Sequence, residues 1–485
     1  MTLSAMQIQA IVDATKTPTP EQVRVVEAPR MPLLVVAGAG SGKTETMSMR
    51  VLWLLANHPD LTPASILGLT FTRKAAGELG DRLRERIRLL AREMPQMRER
   101  LDEDPVALTY NSFAERIVSE HGMRIGIDPD FSMLSEAGAM DLMTQIVEAW
   151  PEDLDEELRP LDAVEQVLHL AGELGEHGFT VDRAREALEE LGRELAQVGD
   201  TNPEARRLQR ANRRRLAFLG PIEAYQQRKR EMGVLDFSDQ LVLATRIVRE
   251  APAVRAAMRE EFRAVLLDEF QDTSVIQMEL LSTLFGDHAV TAVGDPNQAI
   301  YGWRGASASS LETFLERFHT GAPEEGQTLT LSTAWRNDVS ILDAANRVAA
   351  PLREVASYQS GKEELNAQSP VLVPRLGAGR GVVEIAYPSA YEDALAATVD
   401  FVQRVRAQAT KDGKRRTVAV LSRRRRDFPL IDAALREAGI PTEIVGLGGL
   451  LDQGAVQDVR AALELAYDVA ASPWLARLLA GIDLG

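Results

Sequence analysis

The 485-residue chain contains no cysteine, which excludes disulfides, thiolate zinc sites, cysteine-ligated iron–sulfur clusters and thiol nucleophiles, and agrees with a reducing compartment. Histidine is nearly as scarce. The six present are scattered, with none four residues from another, so a zinc enzyme of the paired-histidine type is not expected. Aromatic residues make up only 5% of the chain. No apolar run approaches the roughly 18 residues that a spanning helix needs. The N-terminus, MTLSAMQIQAIVDATKTPTP, lacks the basic start, apolar middle and small-residue cleavage site of a secretory signal. These absences predict a cytoplasmic protein that meets no membrane. What remains is ordinary globular composition, 45% hydrophobic and 26% charged, and at roughly 150 residues per domain the length suggests about three compact units.

Basic charge is also in deficit, with 55 Lys and Arg against 72 Asp and Glu, a net −17. That balance argues against coating nucleic acid by bulk electrostatics. The distribution is uneven, however. Residues 151–200 carry 15 acidic and 4 basic side chains, whereas residues 201–230 carry 2 and 9. The arginines at 206, 207, 210, 213, 214 and 215 fall at helical spacing. They could track phosphates, or form a solvated face paired with the acidic stretch before them. The run Arg423 to Arg426, directly after an expected strand, has the same two readings.

Short β-branched runs alternate with long amphipathic patterns, the signature of a parallel α/β fold. Strands are expected at 33–38, 65–72, 265–270 and 289–295, and a second set at 328–333, 382–387, 417–422 and 442–447. Only helical patterns fill about 114–240. The expected organisation is therefore a first α/β domain in two parts, 1–113 and 241–327, interrupted by a helical insertion at 114–240. A linker near 324–327, preceded by Gly321 and Pro323, leads to a second α/β domain at 328–450, and 451–485 begins a further helical subdomain.

The segment Ala37-Gly38-Ala39-Gly40-Ser41-Gly42-Lys43-Thr44 follows an apolar strand and opens a helical pattern, the setting of a phosphate-binding loop. Its glycines let backbone N–H groups turn toward phosphate oxygens at a helix N-terminus. Lys43 would reach the β- and γ-phosphates and the Thr44 hydroxyl would hold Mg²⁺. Alanine at 37 replaces the glycine of the strict pattern. A second signal, VLLDEFQDT, ends an apolar strand with Asp268 and Glu269, where carboxylates are costly unless used. Asp268 would hold the metal and Glu269 would deprotonate an attacking water. Two matched signals in the correct order identify a P-loop NTPase that hydrolyses its nucleotide.

Further motifs in order along most of the chain resemble the superfamily 1 DNA helicases of the UvrD, Rep and PcrA type. Pro20-Glu21-Gln22 is similar to the adenine-reading glutamine motif, and an amide at Gln22 can pair with both edge groups of adenine. Phe71-Thr72-Arg73 and Tyr110-Asn111 resemble single-strand contacts. The most specific match is GDPNQAIYGWRGA, 294–306. In it the resemblance makes Gln298 the γ-phosphate sensor, Tyr301 and Trp303 aromatics near the bases, and Arg304 a nucleotide contact. Independently of the family, Tyr301, Trp303 and Arg304 on one polar loop offer stacking surface and a cation, and base stacking tolerates any sequence. Leu331 to Asn337 resembles the fourth motif, which implies that Trp335 stacks on adenine and Arg336 acts as an arginine finger. Trp335 stands where tyrosine is commoner, and Glu45 where arginine is frequent.

The resemblance implies tandem RecA-like domains, the second incomplete, with ATP and Mg²⁺ between them and single-stranded DNA and DNA junctions as partners. It also implies translocation from 3′ to 5′ in DNA repair or recombination. The wording of AGAGSGKTETM, LTFTRKAAGEL and VGLGGLLD is similar to helicase subunits of actinobacterial helicase–nuclease machines, which would supply a second subunit as partner. Two later family motifs, an HxxKGLE-like segment and a second TR-containing segment with another arginine finger, have no match. The expectation is an N-terminal portion that binds nucleotide and turns it over poorly alone, since such a finger contributes about 10³ to 10⁵ in rate. Two other readings stay open: a nucleotide-binding, DNA-docking scaffold without helicase activity, and a P-loop switch or transporter ATPase that meets no DNA.

Overall fold

The computed structural model describes residues 2–485 except 153, 156–157, 199–201, 303–304, 307–308, 322–326, 361–366, 409–412, 414, 446–453, 468–473, 475–476 and 479–485. Trp303, Arg304 and most of the expected linker 324–327 lie outside the described residues, as does most of VGLGGLLD. Two compact units divide the chain, Met1–Val382 and Val383–Gly485.

In the first unit, helices α1 (Ala5–Asp13) and α2 (Pro20–Val26) precede strand β1 (Leu33–Ala37) and helix α3 (Lys43–Asn57). Then come β2 (Ile66–Thr70), α4 (Arg73–Glu93), β3 (Val106–Thr109) and α5 (Tyr110–His121). A helical excursion begins at β4 (Ser132–Met133) and runs through α6 (Glu136–Glu148), α7 (Pro160–Glu176), α8 (Val181–Val198) and α9 (Pro203–Met232) to β5 (Val234–Leu235). The chain returns with α10 (Phe237–Glu250), α11 (Pro252–Glu261), β6 (Ala264–Leu267), α12 (Val275–Phe285), β7 (Val290–Gly294), α13 (Phe314–Phe318), β8 (Thr328–Leu331), β9 (Thr333–Ala334), α14 (Val339–Ser360) and β10 (Val373–Pro374).

Six strands form one parallel sheet in the order β3-β2-β6-β7-β1-β8, with Val35 opposite both Val293 and Leu329 and Leu67 opposite both Val106 and Val265. Strands β1, β2, β6 and β7 are buried at every position, as expected where helices cover both faces of a parallel sheet. One face packs on α5, α10 and α12 through Phe113, Phe262 and Phe285, the other on α3 and α4 through Leu52, Leu55 and Leu83. Polar caps set the helix starts: Thr72 accepts from the Ala75 N–H, Thr109 from Ser112, and Ser274 from Gln277.

The structure moves three expected boundaries. Strand β8 pairs with β1 in the first sheet, so 328–331 does not open a second domain; β1 needs an outer partner and the TLTL run supplies it. Strand β3 was not expected, because VALT is too short to stand out beside the helix that follows. Helix α5 and helix α10 bury Phe113, Ile117, Leu241 and Ile247 in the sheet core, so the insertion proper is narrower than 114–240. It has its own core around Val164, Val167, Phe218 and Ile222. On α9, Arg214 pairs with Asp155 at 2.5 Å, while Arg206, Arg207, Arg210, Arg213 and Arg215 are exposed.

The second unit contains α15 (Tyr391–Ala407), α16 (Phe428–Glu437) and α17 (Gly454–Tyr467), with Val402, Leu435 and Ile440 buried together. The runs 382–387, 417–422 and 442–447, expected as strands, form no ladder among the described residues, with 446–447 lying outside them. Ile385 and Leu421 are 90% and 94% exposed. These runs border shared cavities, 384–386 with 418–421 and 418–422 with 442–445, yet among the described residues they exchange no ladder hydrogen bonds, and extended backbone becomes a sheet only where a neighbour takes those bonds. Beyond the six-stranded sheet the described residues hold two short parallel pairs, β9 with β10 and β4 with β5, and the second unit contributes no further strand among its described residues.

Candidate nucleotide and nucleic-acid sites

The loop between β1 and α3 turns at Gly40 and Gly42, with φ of +73° and +83°, a conformation that glycine adopts without penalty. It lies at the carboxyl ends of the parallel strands, where ligands bind in such sheets. Gly38 donates its N–H to the Leu331 carbonyl at 3.0 Å, and Gly40 accepts from the Trp335 N–H at 2.8 Å. Ser41 is 2% exposed and its Oγ has no partner. An orphaned buried hydroxyl in a glycine-rich turn at a helix N-terminus fits phosphate oxygens. Ala39 completes the turn between Gly38 and Gly40, and Thr44 stands in the first turn of α3.

Lys43 Nζ contacts Glu269 Oε2 at 3.0 Å, so the loop cation and the carboxylate after β6 are already paired. Glu269 adopts a left-handed backbone, φ +48°, which is strained for a residue with a side chain. Its N–H donates to Asp268 Oδ1 at 3.0 Å. Burial, and next the Glu269 charge, push the Asp268 carboxyl up to about 6. A nearby cation would reverse that cost. No cluster of three or more His, Asp or Glu that could hold a metal occurs among the described residues. One hydroxyl and one carboxylate suit a magnesium-type ion, which keeps most of its shell as water and phosphate oxygens.

Three other expected residues converge on the loop. A Cβ on Gly42 would lie 3.1 Å from Gln22 Nε2 and 3.6 Å from Trp335 Cδ1, and one on Gly40 would lie 3.0 Å from Arg336 Cβ. Only glycine lets them come so close. Gln22 and Trp335 border a cavity of about 220 Å³ with Pro18 and Glu45. The Gln22 amide oxygen accepts from the Thr19 N–H in a capping box at 2.9 Å, so Nε2 is the group left for a ligand. Glu45, in the place where arginine is frequent, pairs with Arg86 at 2.5 Å. Trp335 and Arg336 are exposed. Gln298 Nε2 donates to Asp295 Oδ2 at 2.6 Å, which ties it to the end of β7.

The buried Arg50 ties α3 to the end of α2 and to β7. Its guanidinium donates to the Val25, Ala28 and Pro29 carbonyls and to Thr291 Oγ1, at 2.8 to 2.9 Å. It faces no carboxylate there, and burial pushes it down to about 10.

A second cleft, about 400 Å³, opens beside the ends of β2 and β3 and is lined by Phe71, Arg73, Asn111, Phe237, Asp272 and Gln277. Phe71 stacks on Tyr301 with centroids 4.7 Å apart. Asn111 accepts from Gln277 Nε2 at 3.2 Å. Two expected contacts have other work here. Tyr110 is 3% exposed and donates its hydroxyl to the Asp268 carbonyl at 3.1 Å, so its ring belongs to the core and offers no stacking face. Thr72 Oγ1 is engaged as the cap of α4.

Phe237, 52% exposed, was not foreseen. It starts α10, whose first turn is held by Lys229 bridging Asp236 at 2.5 Å and Asp239 at 2.6 Å. Nothing in LDFSDQL distinguishes this ring from a core phenylalanine. Asp272, which no sequence signal marks either, lines the same cleft, and burial pushes its carboxyl up to about 6.

Residues 18–319 match the family model described as the UvrD/REP helicase N-terminal domain. The chain is 31% identical over 327 residues to DNA helicase II of Salmonella typhimurium and 30% identical over 327 residues to that of Escherichia coli. It is 27% identical over 332 residues to the ATP-dependent DNA helicase PcrA of Staphylococcus aureus. These alignments cover 67% or 68% of this chain and 39% of each relative, so the chain spans about two fifths of their length.

Proposed function

The chain belongs to the UvrD/REP helicase family, and from that premise we propose that it is the nucleotide-driven part of a DNA helicase that moves on single-stranded DNA. The observation that carries this reading is the meeting of Lys43 and Glu269 at 3.0 Å, with Gln22, Trp335 and Arg336 gathered on the same loop.

ATP lies with its triphosphate in the loop 38–44 and its base against Trp335, with Gln22 Nε2 donating to the purine edge. Lys43 turns from Glu269 to the β- and γ-phosphates. The freed Glu269 carboxylate accepts a proton from a water that attacks the γ-phosphorus. The bond to the β,γ-bridging oxygen breaks, leaving ADP and inorganic phosphate. Arg336 neutralises charge as it develops, and Gln298 reads the γ-phosphate from the end of β7. Thr44 and Asp268 are the residues that would hold Mg²⁺, which supplies charge neutralisation at the phosphate oxygens when bound.

Single-stranded DNA occupies the second cleft, its bases against Phe71 and Tyr301 and its phosphates near Arg73. Direction from 3′ to 5′, work at DNA junctions, a role in repair or recombination, and a second helicase–nuclease subunit as partner rest on the family resemblance alone. The test is Mg²⁺-ATP hydrolysis with and without single-stranded DNA, with binding of both ligands followed in parallel and Lys43→Ala as the blank. Stimulation by DNA supports the motor. Binding of both ligands without turnover favours a docking module, and failure to bind oligonucleotide returns the chain to the P-loop ATPases that meet no DNA.

A further inference from the structure

Between the two clefts one side chain touches both. Gln271 is 3% exposed and its hydrogen-bonding groups are all engaged. Its Nε2 donates to Glu269 Oε2 at 2.9 Å and to Asp272 Oδ2 at 3.3 Å, while its Oε1 accepts from the Asp295 N–H at 3.0 Å. The fold makes room for it. A Cβ on Gly294 would lie 2.7 Å from Gln271 Oε1 and 3.1 Å from its backbone nitrogen, so β7 ends in the one residue that lets this amide nest.

Each of its three partners leads to a different part of the machinery. Glu269 is the carboxylate that Lys43 holds at 3.0 Å. Asp295 binds the side chain of Gln298 at 2.6 Å. Asp272 lines the second cleft and also accepts from the backbone N–H of Ile300. Ile300 directly precedes Tyr301, the ring stacked on Phe71. A continuous path therefore runs Lys43–Glu269–Gln271–Asp272–Ile300–Tyr301, with a branch to Gln298.

Resting on the function proposed above, we propose that Gln271 is a positioning residue that couples occupancy of the single-strand cleft to the orientation of the Glu269 carboxylate. When phosphates draw Lys43 away, Glu269 retains only the Gln271 amide among its polar side-chain contacts in this path. That same amide is steered at its other hydrogen by Asp272. A base that displaces Tyr301 shifts the Ile300 N–H on Asp272 and so redirects the amide that aims Glu269. In the reverse direction, release of Lys43 changes what Gln271 offers to the cleft. An alcohol or thioether at 271 would fill the space without carrying both bonds, because Asp272 and Glu269 are both acceptors and only an NH₂ serves two acceptors at once.

Coupling of this kind is reciprocal and is read as a ratio of affinities. The experiment measures the affinity of the 485-residue chain for a fluorescent, non-hydrolysable ATP analogue, with and without saturating oligothymidylate. In the wild type the oligonucleotide should change nucleotide affinity by at least about fivefold, the lower end of ordinary coupling, and in Gln271→Met the ratio should fall to within about twofold of one. A merely structural role would lower either affinity without abolishing the ratio. Asp272→Ala cuts the path at its far end and should give the same loss, which decides the matter where Gln271→Met does not fold. The inference is overturned if the wild type binds both ligands with a ratio of one, or if both variants keep the wild-type ratio. A wild-type chain that binds neither ligand brings down the helicase reading itself, and this inference with it.

Discussion

Lys43 Nζ lies 3.0 Å from Glu269 Oε2, so the cation that should meet phosphate and the carboxylate that should activate water neutralise one another in the free protein. The pair is only partly shielded, with Lys43 12% and Glu269 37% exposed at their side chains. Incoming phosphates can therefore exchange one anion for another at Lys43 without stranding a buried charge.

Loss of the lysine should weaken nucleotide binding. Lys43→Ala removes a charge-assisted contact and should lower ATP affinity about 10- to 100-fold, measured by displacement of a fluorescent analogue. Oligonucleotide binding should survive, changed at most by what the Glu269–Gln271–Asp272 path transmits, because Lys43 itself does not line the second cleft. Unaltered ATP affinity in this variant would place the nucleotide elsewhere.

Glu269→Gln separates binding from chemistry. The amide keeps the size of the side chain and cannot take a proton, so DNA-stimulated hydrolysis should drop about 10²- to 10⁴-fold. Nucleotide affinity should hold or rise. If turnover persists at the wild-type rate, another group removes the proton.

The exposed Trp335 ring offers a test confined to the base. Trp335→Ala should cost about 5- to 100-fold in ATP affinity, the range of one stacking contact, and leave inorganic tripolyphosphate unaffected. Equal losses for both ligands would assign Trp335 to the loop's shape instead.

In the single-strand cleft, Phe237→Ala should weaken oligothymidylate binding by about 5- to 100-fold. The ring is 52% exposed, so the fold should not suffer, and thermal unfolding checks that. Wild-type affinity in this variant would leave Phe71 and Tyr301 as the stacking surface.

Burial holds the Asp272 carboxyl near 6, above its ordinary 3.8. The folded protein therefore binds that proton more tightly than the unfolded chain. The stability from this source is fully present below 3.8 and is lost as pH rises through about 6. Urea unfolding of wild type and Asp272→Asn should show the wild type losing ground to the variant between about pH 4 and pH 7. A difference that stays flat across that window would mean the carboxyl is ionised throughout.

Much of this architecture is written in local pattern. β1, β2, β6 and β7 read as apolar runs because both faces of a parallel sheet are covered, and the loop at 38–44 is legible because glycine, lysine and threonine are needed at fixed offsets. β3 was hidden, since four residues carry too little periodicity to separate strand from the start of α5. The runs at 382–387 and 417–422 erred in the other direction. Their composition suits a sheet, but a strand is a property of a hydrogen-bonded pair, and among the described residues these neighbouring runs exchange no ladder bonds. Tyr110 and Phe237 exchanged places for the same reason: a sequence shows that a ring is present, whereas its exposure depends on how distant helices pack. Within DEFQDT nothing marks Gln271, because its role rests on Gly294 and Asp295, which come into reach only when β6 and β7 lie side by side.

The parallel pairing of Ser132 and Met133 with Val234 and Leu235 sets the departure and return of the helical excursion next to each other. A segment with adjoining ends is a cassette: it can be replaced by a short turn, or exchanged for a longer one, without re-threading the sheet beneath. The helices that border the second cleft through Glu176 can thus be rebuilt while the strands beneath stay as they are.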